Sequence, residues 1–245
     1  MELSAVLLIT LVVLLVGISK SAFAGALGVF AVPLLMLKFT AIEAITLMLP
    51  LLIIADAMSV KSFWKKWDTS LLFSLIPGAM LGIVIANLLM DHINPEYLRY
   101  IIALICIVFA IKNILLKQLH LSFINNRIGA YFMSASSGVS STLVHAGGPP
   151  LIIYFTAIGL TQTKFVATAA AFFAIMNIIK LIGVVSLGLL TINTVLIAVA
   201  FTPIAFIGNW LGIKLYSKID RDLFLKVMNY LLLFLGFWLI LSELK

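Results

Sequence analysis

SSGVSSTLVHAGGPPLIIYFTAIGL, residues 136–160, interrupts an apolar run from 128 to 160 that is already too long for one membrane span of about 20 residues. Backbone that leaves the helix at membrane depth survives only where it lines a cavity or is buried in protein. Gly147-Gly148 leaves amides uncovered by side chains, and Pro149-Pro150 suits the first turn of a helix, where the missing N–H removes no bond. A helix start with bare amides attracts anions through its donors and its dipole. The stretch predicts a membrane carrier for a small anion, with this break as half of its site.

The composition agrees. Of 245 residues, 64% are hydrophobic and 10% charged, and the mean hydropathy is +1.24. Soluble domains average about 45–50% apolar and 25% charged, so the chain reads as an integral membrane protein. The net charge of +7 lies in short loops, the pattern of orientation by basic residues rather than of a nucleic-acid face. Cys106 is the sole cysteine, which excludes disulfides within the chain and cysteine metal sites. Glu2 is the first charge and no basic n-region precedes the apolar run, so the N-terminus is expected to be the first membrane segment and not a cleaved signal.

Outward from the break, the chain divides into two halves, 1–120 and 121–245. Residues 3–38 are again too long for one span and are punctuated by Gly17, Ser19, Lys20, Ser21, Gly25 and Gly28. Helical spans are predicted at 41–60, 69–90 and 97–117, then at 165–190, 194–216 and 223–242. A shift of 126 places Pro77 on Pro203, Ala79 on Ala205, Gly82 on Gly208 and the Asn94–Glu96 loop on Asp220–Asp222. Lysines fill the 61–68 loop, while its mate near 188–194 has no charge; the bias is opposite for 91–96 and 217–222. With basic loops inside, 61–68, 117–127 and 217–222 are cytoplasmic and both termini are outside. The fold class expected is all-α and polytopic: two inverted repeats of about five helical segments, the first two of each short, broken or re-entrant. Inverted repeats with broken helices meeting near the midplane are a transporter architecture.

Gly138, Gly147-Gly148-Pro149-Pro150, Tyr154, Gly159 and Leu160, followed by Ala167, Thr168, Phe173, Asn177 and Lys180, resemble the TauE/SafE sulfite-exporter family. In the first half GALGVFAVPLL (Gly25 to Leu35), with Ala44 and Thr46, is similar to that family's first repeat. The resemblance covers nearly the whole chain. It implies transport of sulfite, sulfonates or related anions across a bacterial or archaeal inner membrane. The first-half motif is poorer in glycine than is typical, and His145 stands where small residues are common.

The candidate substrate-binding residues are Ser136, Ser137, Gly138, His145, Gly147, Gly148, Pro149, Asn177 and Lys180, with Lys20, Ser21, Gly25 and Gly28 from the mirror break. Small residues also serve helix packing, but clustered with Ser140, Ser141 and Thr142 they predict a polar cavity wall. His145 could bind an anion or carry a proton, or simply pack on a neighbouring helix. Asn177 and Lys180, three residues apart, share a helix face. Lys180 lies about ten residues from either helix end, far for snorkelling, and would neutralise an anion. Lys20 fits either a cytoplasmic turn or the cavity, and Asp56 is read as an interfacial acid rather than a proton or sodium partner. Trp64, Trp67, Trp210 and Trp238 are read as interfacial anchors.

These residues predict a secondary transporter working by alternating access, with a small anion and the lipid bilayer as partners, no nucleic acid, and a homodimer left open. No cofactor is expected, and a proton or sodium is the candidate coupling ion. No P-loop is present for direct nucleotide drive. An anion channel is the alternative. An intramembrane enzyme built on His145 is a weaker one, because the chain has neither a G-x-S-x-G elbow nor an HExxH motif.

Overall fold

A computed structural model describes residues 2–22, 26–115, 125–215 and 221–241. Ten α-helices follow one another among the described residues: α1 (Leu3–Ala22), α2 (Ala31–Leu35) entered through a 3-10 turn at Ala26–Phe30, α3 (Ala41–Ser62), α4 (Thr69–His92), α5 (Pro95–Leu115), α6 (Arg127–Val144), α7 (Gly148–Ala157), α8 (Gln162–Ser186), α9 (Ile192–Leu215) and α10 (Arg221–Leu241). No strand occurs among the described residues. Among the described residues five stretches, 3–20, 41–62, 69–90, 163–186 and 192–212, are long and apolar enough to cross a membrane; the expected spans 97–117 and 223–242 are not among them.

The side chains are distributed as hydrocarbon solvent requires. Leu3, Leu81, Ile182, Val199 and Phe234 face outward, while Ser19, Ser137, Asp56 and Lys180 are buried. On α6 this inversion is sharp: Phe132 is 66% exposed and Ser137 0%. An apolar belt of this extent around a polar interior belongs in lipid. Pro50, Pro77 and Pro203 lie inside α3, α4 and α9, where a missing amide is a cause of bending.

Residues 3–38, expected as two short helices or as a helix plus a re-entrant hairpin, hold one 20-residue helix and a short second one. At 1.5 Å per residue α1 is about 30 Å long, a full span. The chain then turns back: Lys38 Nζ lies 3.4 Å from Glu2 Oε2, so the segment ends at the end of the bundle where it began. The second broken region does the same. α6 runs beside α4 with Gly78 against Tyr131 and Gly82 against Ala135, and Lys164, at the start of α8, reaches back to Asp68, at the start of α4, at 3.3 Å. α8 stops at Ser186, short of the expected 190, because Gly188 turns the chain at φ 66°.

The densest pairings are α4 with α6, α1 with α9, α5 with α10, and α3 with α8. Two of these seams rest on glycine. A Cβ on Gly17 of α1 would meet Ala205 O at 2.9 Å and Asn209 N at 2.9 Å, and Gly138 of α6 fits in the same way against Ala79, Gly82 and Ile83 of α4. Small residues allow this close backbone approach, on which helix association in lipid depends.

Asp68 caps α4, its carboxylate accepting from the Leu71 amide at 3.1 Å. That bond, reinforced by Lys164, holds the Asp68 carboxyl below its ordinary value. A lowered folded-state value means stabilisation that is present above the unfolded value and is lost as pH falls through the folded one. The stability difference between wild type and Asp68→Asn, measured by thermal unfolding in detergent, is therefore expected to be constant near neutral pH and to shrink as pH falls below about 4 toward the lower folded-state value. Gly138→Val is expected to destabilise the bundle by about 1–3 kcal/mol through overpacking, whereas Leu81→Val on the lipid face changes the same thermal midpoint little.

Candidate functional site

The helix break falls where α6 ends. His145 closes that helix in the left-handed region at φ 54°, a conformation uncommon for a residue with a Cβ. Its amide donates to Ser141 O at 3.1 Å, and the Ala146 amide donates to Ser140 O at 3.1 Å. The serines complete the closure. Ser137 Oγ donates to Gly147 O at 2.7 Å, Thr142 Oγ1 to Gly138 O at 2.8 Å, and Ser140 Oγ shares its proton between Ser136 O at 2.8 Å and Ala146 O at 3.0 Å. The bonds to Gly147 O and Ala146 O satisfy carbonyls that the interruption would otherwise strand in an apolar interior; those to Ser136 O and Gly138 O turn the hydroxyls back on their own helix. α7 then begins at Gly148 with Pro149 in its first turn, and no side chain caps it.

The two breaks meet. Gly28, in the 3-10 turn, lies so close to His145 that a Cβ there would stand 2.7 Å from its carbonyl oxygen. Between them is a small cavity lined by Lys20, Gly28, Ser141, His145, Gly148 and Asn177, with Leu52 and Phe173 as apolar walls. Its free volume, about 10 Å³ for the centre of a water-sized sphere, is roughly what one water needs.

Charge is concentrated around this cavity. Lys20 donates to Asp56 Oδ1 and Asn177 Nδ2 donates to Asp56 Oδ2, so one carboxylate of α3 joins α1 to α8. The Lys20 ammonium also stands 5.0 Å from the centre of the Phe173 ring, within cation–π range. Lys180 Nζ has three acceptors: Ser141 O at 3.1 Å, Ser141 Oγ at 3.0 Å and His145 Nδ1 at 3.2 Å. The backbone acceptor belongs to the last turn of α6, where the helix dipole favours a cation. His145 Nε2 lies 3.0 Å from Ile45 O. Asn177 Oδ1 is buried and has no partner.

Of the residues predicted from sequence, the structure brings Lys20, Gly28, His145, Gly148, Asn177 and Lys180 together around the cavity or its hydrogen bonds. Ser137 and Gly147 stand one layer behind, tied to each other, and Gly138 lies in the α4 seam. Ser136 offers its carbonyl to Ser140, and Pro149 opens α7. Ser21 is in the last turn of α1, and Gly25 falls outside the described residues. Asp56 departs from its reading as an interfacial acid: it is 1% exposed and paired. A shift of 121 lays α3 on α8, Asp56 on Asn177 and Ser59 on Lys180, a register that the 126 shift of the later helices concealed. Ser141, read only as part of a polar wall, is the acceptor of Lys180.

Over residues 9–239 the chain matches the family model described as Sulfite exporter TauE/SafE. No curated protein and no solved structure matches it.

Removing one member of a buried ion pair strands the other, which costs about 3–5 kcal/mol. Asp56→Ala is expected to show a loss of that size in unfolding measurements in detergent, because both Lys20 and Asn177 lose their acceptor. Lys20→Met/Asp56→Leu, which leaves no unpaired charge, should recover part of it. A double variant as unstable as the sum of the singles would show that the two side chains do not act as a pair.

Proposed function

The chain belongs to the TauE/SafE sulfite exporter family, and from that premise we propose that it carries a small sulfur oxyanion or organosulfonate across the inner membrane by alternating access. Membership makes it a membrane transporter; the cargo and the mode of movement are inferred from the site. The observation that bears most on the cargo is the pair of buried ammonium groups, Lys20 and Lys180, beside the uncapped start of α7. Cations at membrane depth are expensive unless they serve a ligand or a relay, and an anion between them would meet the Lys180 charge, the Lys20 ammonium already paired with Asp56, and the Gly148 amide at the start of α7. The Ser141 hydroxyl, which accepts from Lys180, keeps its own proton to donate.

Two inverted halves fit the way the seams exchange. When α1, α3, α4 and α5 are matched with α6, α8, α9 and α10, the α1–α9 contact becomes α6–α4, and α3–α8 and α5–α10 map onto themselves. Gly17 against Ala205 and Gly208 likewise corresponds to Gly138 against Ala79 and Gly82, with a shift of 121 for Gly17 and of 126 for its partners. Basic loops on the cytoplasmic side would leave both termini outside. A cavity with room for about one water is too small for a sulfonate, so loading requires the walls to separate. Rocking of one half against the other about the Asp56 bridge would do this. The substrate gradient, a proton or sodium would supply the energy.

Proteoliposomes containing the purified chain are expected to take up sulfite or methanesulfonate saturably and to show counterflow, with Lys180→Met reducing uptake at least about tenfold, the effect of removing one hydrogen-bonded charge. Ohmic currents without saturation would favour a channel, and full uptake by folded Lys180→Met would displace the anion from this cavity.

A further inference from the structure

The hydrogen bonds around the cavity also count its charges. Among the described residues four buried groups can carry charge there: Lys20 on α1, Asp56 on α3, His145 between α6 and α7, and Lys180 on α8. Ile45 O can only accept, so His145 Nε2, 3.0 Å away, holds the ring proton. Nδ1 is then the lone-pair nitrogen and accepts from the Lys180 ammonium at 3.2 Å. A second ring proton would point at that ammonium, so His145 is neutral. Lys180 has one acceptor for each of its three N–H bonds, as an ammonium requires. Lys20 is cancelled by Asp56. Two positive charges stand against one negative, and one positive charge is left over.

A net charge buried at membrane depth is costly until a counter-charge arrives. A single negative charge closes the sum, and a second overshoots it. Building on the transporter reading above, we infer that the site selects singly charged anions and that Asp56 sets this valence by cancelling Lys20. Asn177 Oδ1 adds a second requirement. It is a buried acceptor in the cavity wall with no donor, and such a group is normally satisfied by a ligand or water. An oxyanion that keeps one proton, as hydrogensulfite does, meets both demands. A sulfonate meets them together with one water. Asp56 is thus a specificity-determining residue that acts through Lys20, without itself touching the anion.

Methanesulfonate and sulfate test this directly. They have nearly the same tetrahedral shape, neither offers a donor, and they differ by one charge. Binding to the full chain in detergent is measured by calorimetry. Wild type is expected to prefer methanesulfonate by at least about tenfold, since one unit of charge at a few ångströms in a partly dry site is worth at least that much. Asp56→Asn raises the cluster by one charge and should move the ratio toward sulfate by at least about tenfold. Lys20→Met/Asp56→Asn returns the sum to one positive charge, so its order of preference should be that of wild type whatever its affinity. The double variant carries the comparison alone if the single one does not fold, as judged by circular dichroism and gel filtration. Sulfate binding to wild type as tightly as methanesulfonate overturns the valence rule while leaving an anion site in place. So does an unchanged ratio in folded Asp56→Asn, or a sulfate preference in the double variant. Failure of wild type to bind either anion overturns the site itself and the inference with it.

Discussion

Asp56 answers a demand that hydrocarbon imposes on every charged group within it. An ammonium drawn into an apolar bundle must find a counter-charge or stay solvated, and the carboxylate of α3 accepts from Lys20 on one oxygen and from Asn177 on the other. α1 and α8, far apart in sequence, are thereby joined at the centre of the molecule. Charged groups of this kind are weak contributors to net stability, because desolvation offsets most of the attraction. Their value lies in orientation: they fix which side chains face the cavity and leave Lys180 to be held separately by Ser141 and His145.

The backbone obeys the same demand. A helix that stops at membrane depth strands carbonyls, and each must find a donor. Ser137 and Ser140 supply two of them from within the segment, to Gly147 O and Ala146 O. The cavity wall offers donors, namely the Lys20 ammonium, the Gly148 amide and the Ser141 hydroxyl, beside the unpaired acceptor Asn177 Oδ1. The packing that places these groups uses small residues. Gly17 and Gly138 let the long helices close, and Gly28 brings the first break against the second. The polar centre and the lipid-facing exterior are thus two consequences of one solvent.

Much of this was readable from residue type alone. Four of the six helical spans expected outside the broken regions follow from length and hydropathy, and the break from Gly147-Gly148-Pro149-Pro150, because few other structures explain that pattern inside an apolar run. Asn177 and Lys180 share a helix face by spacing, and both reach the central cluster. Asp56 was not readable as a partner of Lys20. The contact joins residues 36 positions apart across a helix break, and no periodicity encodes it. The role of the serines was hidden for a related reason: a hydroxyl facing a cavity and one closing a backbone have the same sequence signature. The length of α1 was also obscured, since Ser19 and Lys20 resemble a turn until the core and Asp56 take up their polarity. The left-handed turn at His145 leaves no mark, because the usual glycine comes only later, at Gly147.

The most direct test of a cationic anion site at the break is to see an anion in it. Crystals of the full chain grown with selenite, a heavier relative of sulfite, would locate the ligand by the anomalous scattering of selenium. The account predicts a peak between Lys20, Lys180 and the start of α7, within hydrogen-bonding reach of Ser141, with Asp56 still bound to Lys20. A peak elsewhere in the bundle, or an ordered cavity holding only water under conditions in which the protein binds selenite, would contradict it.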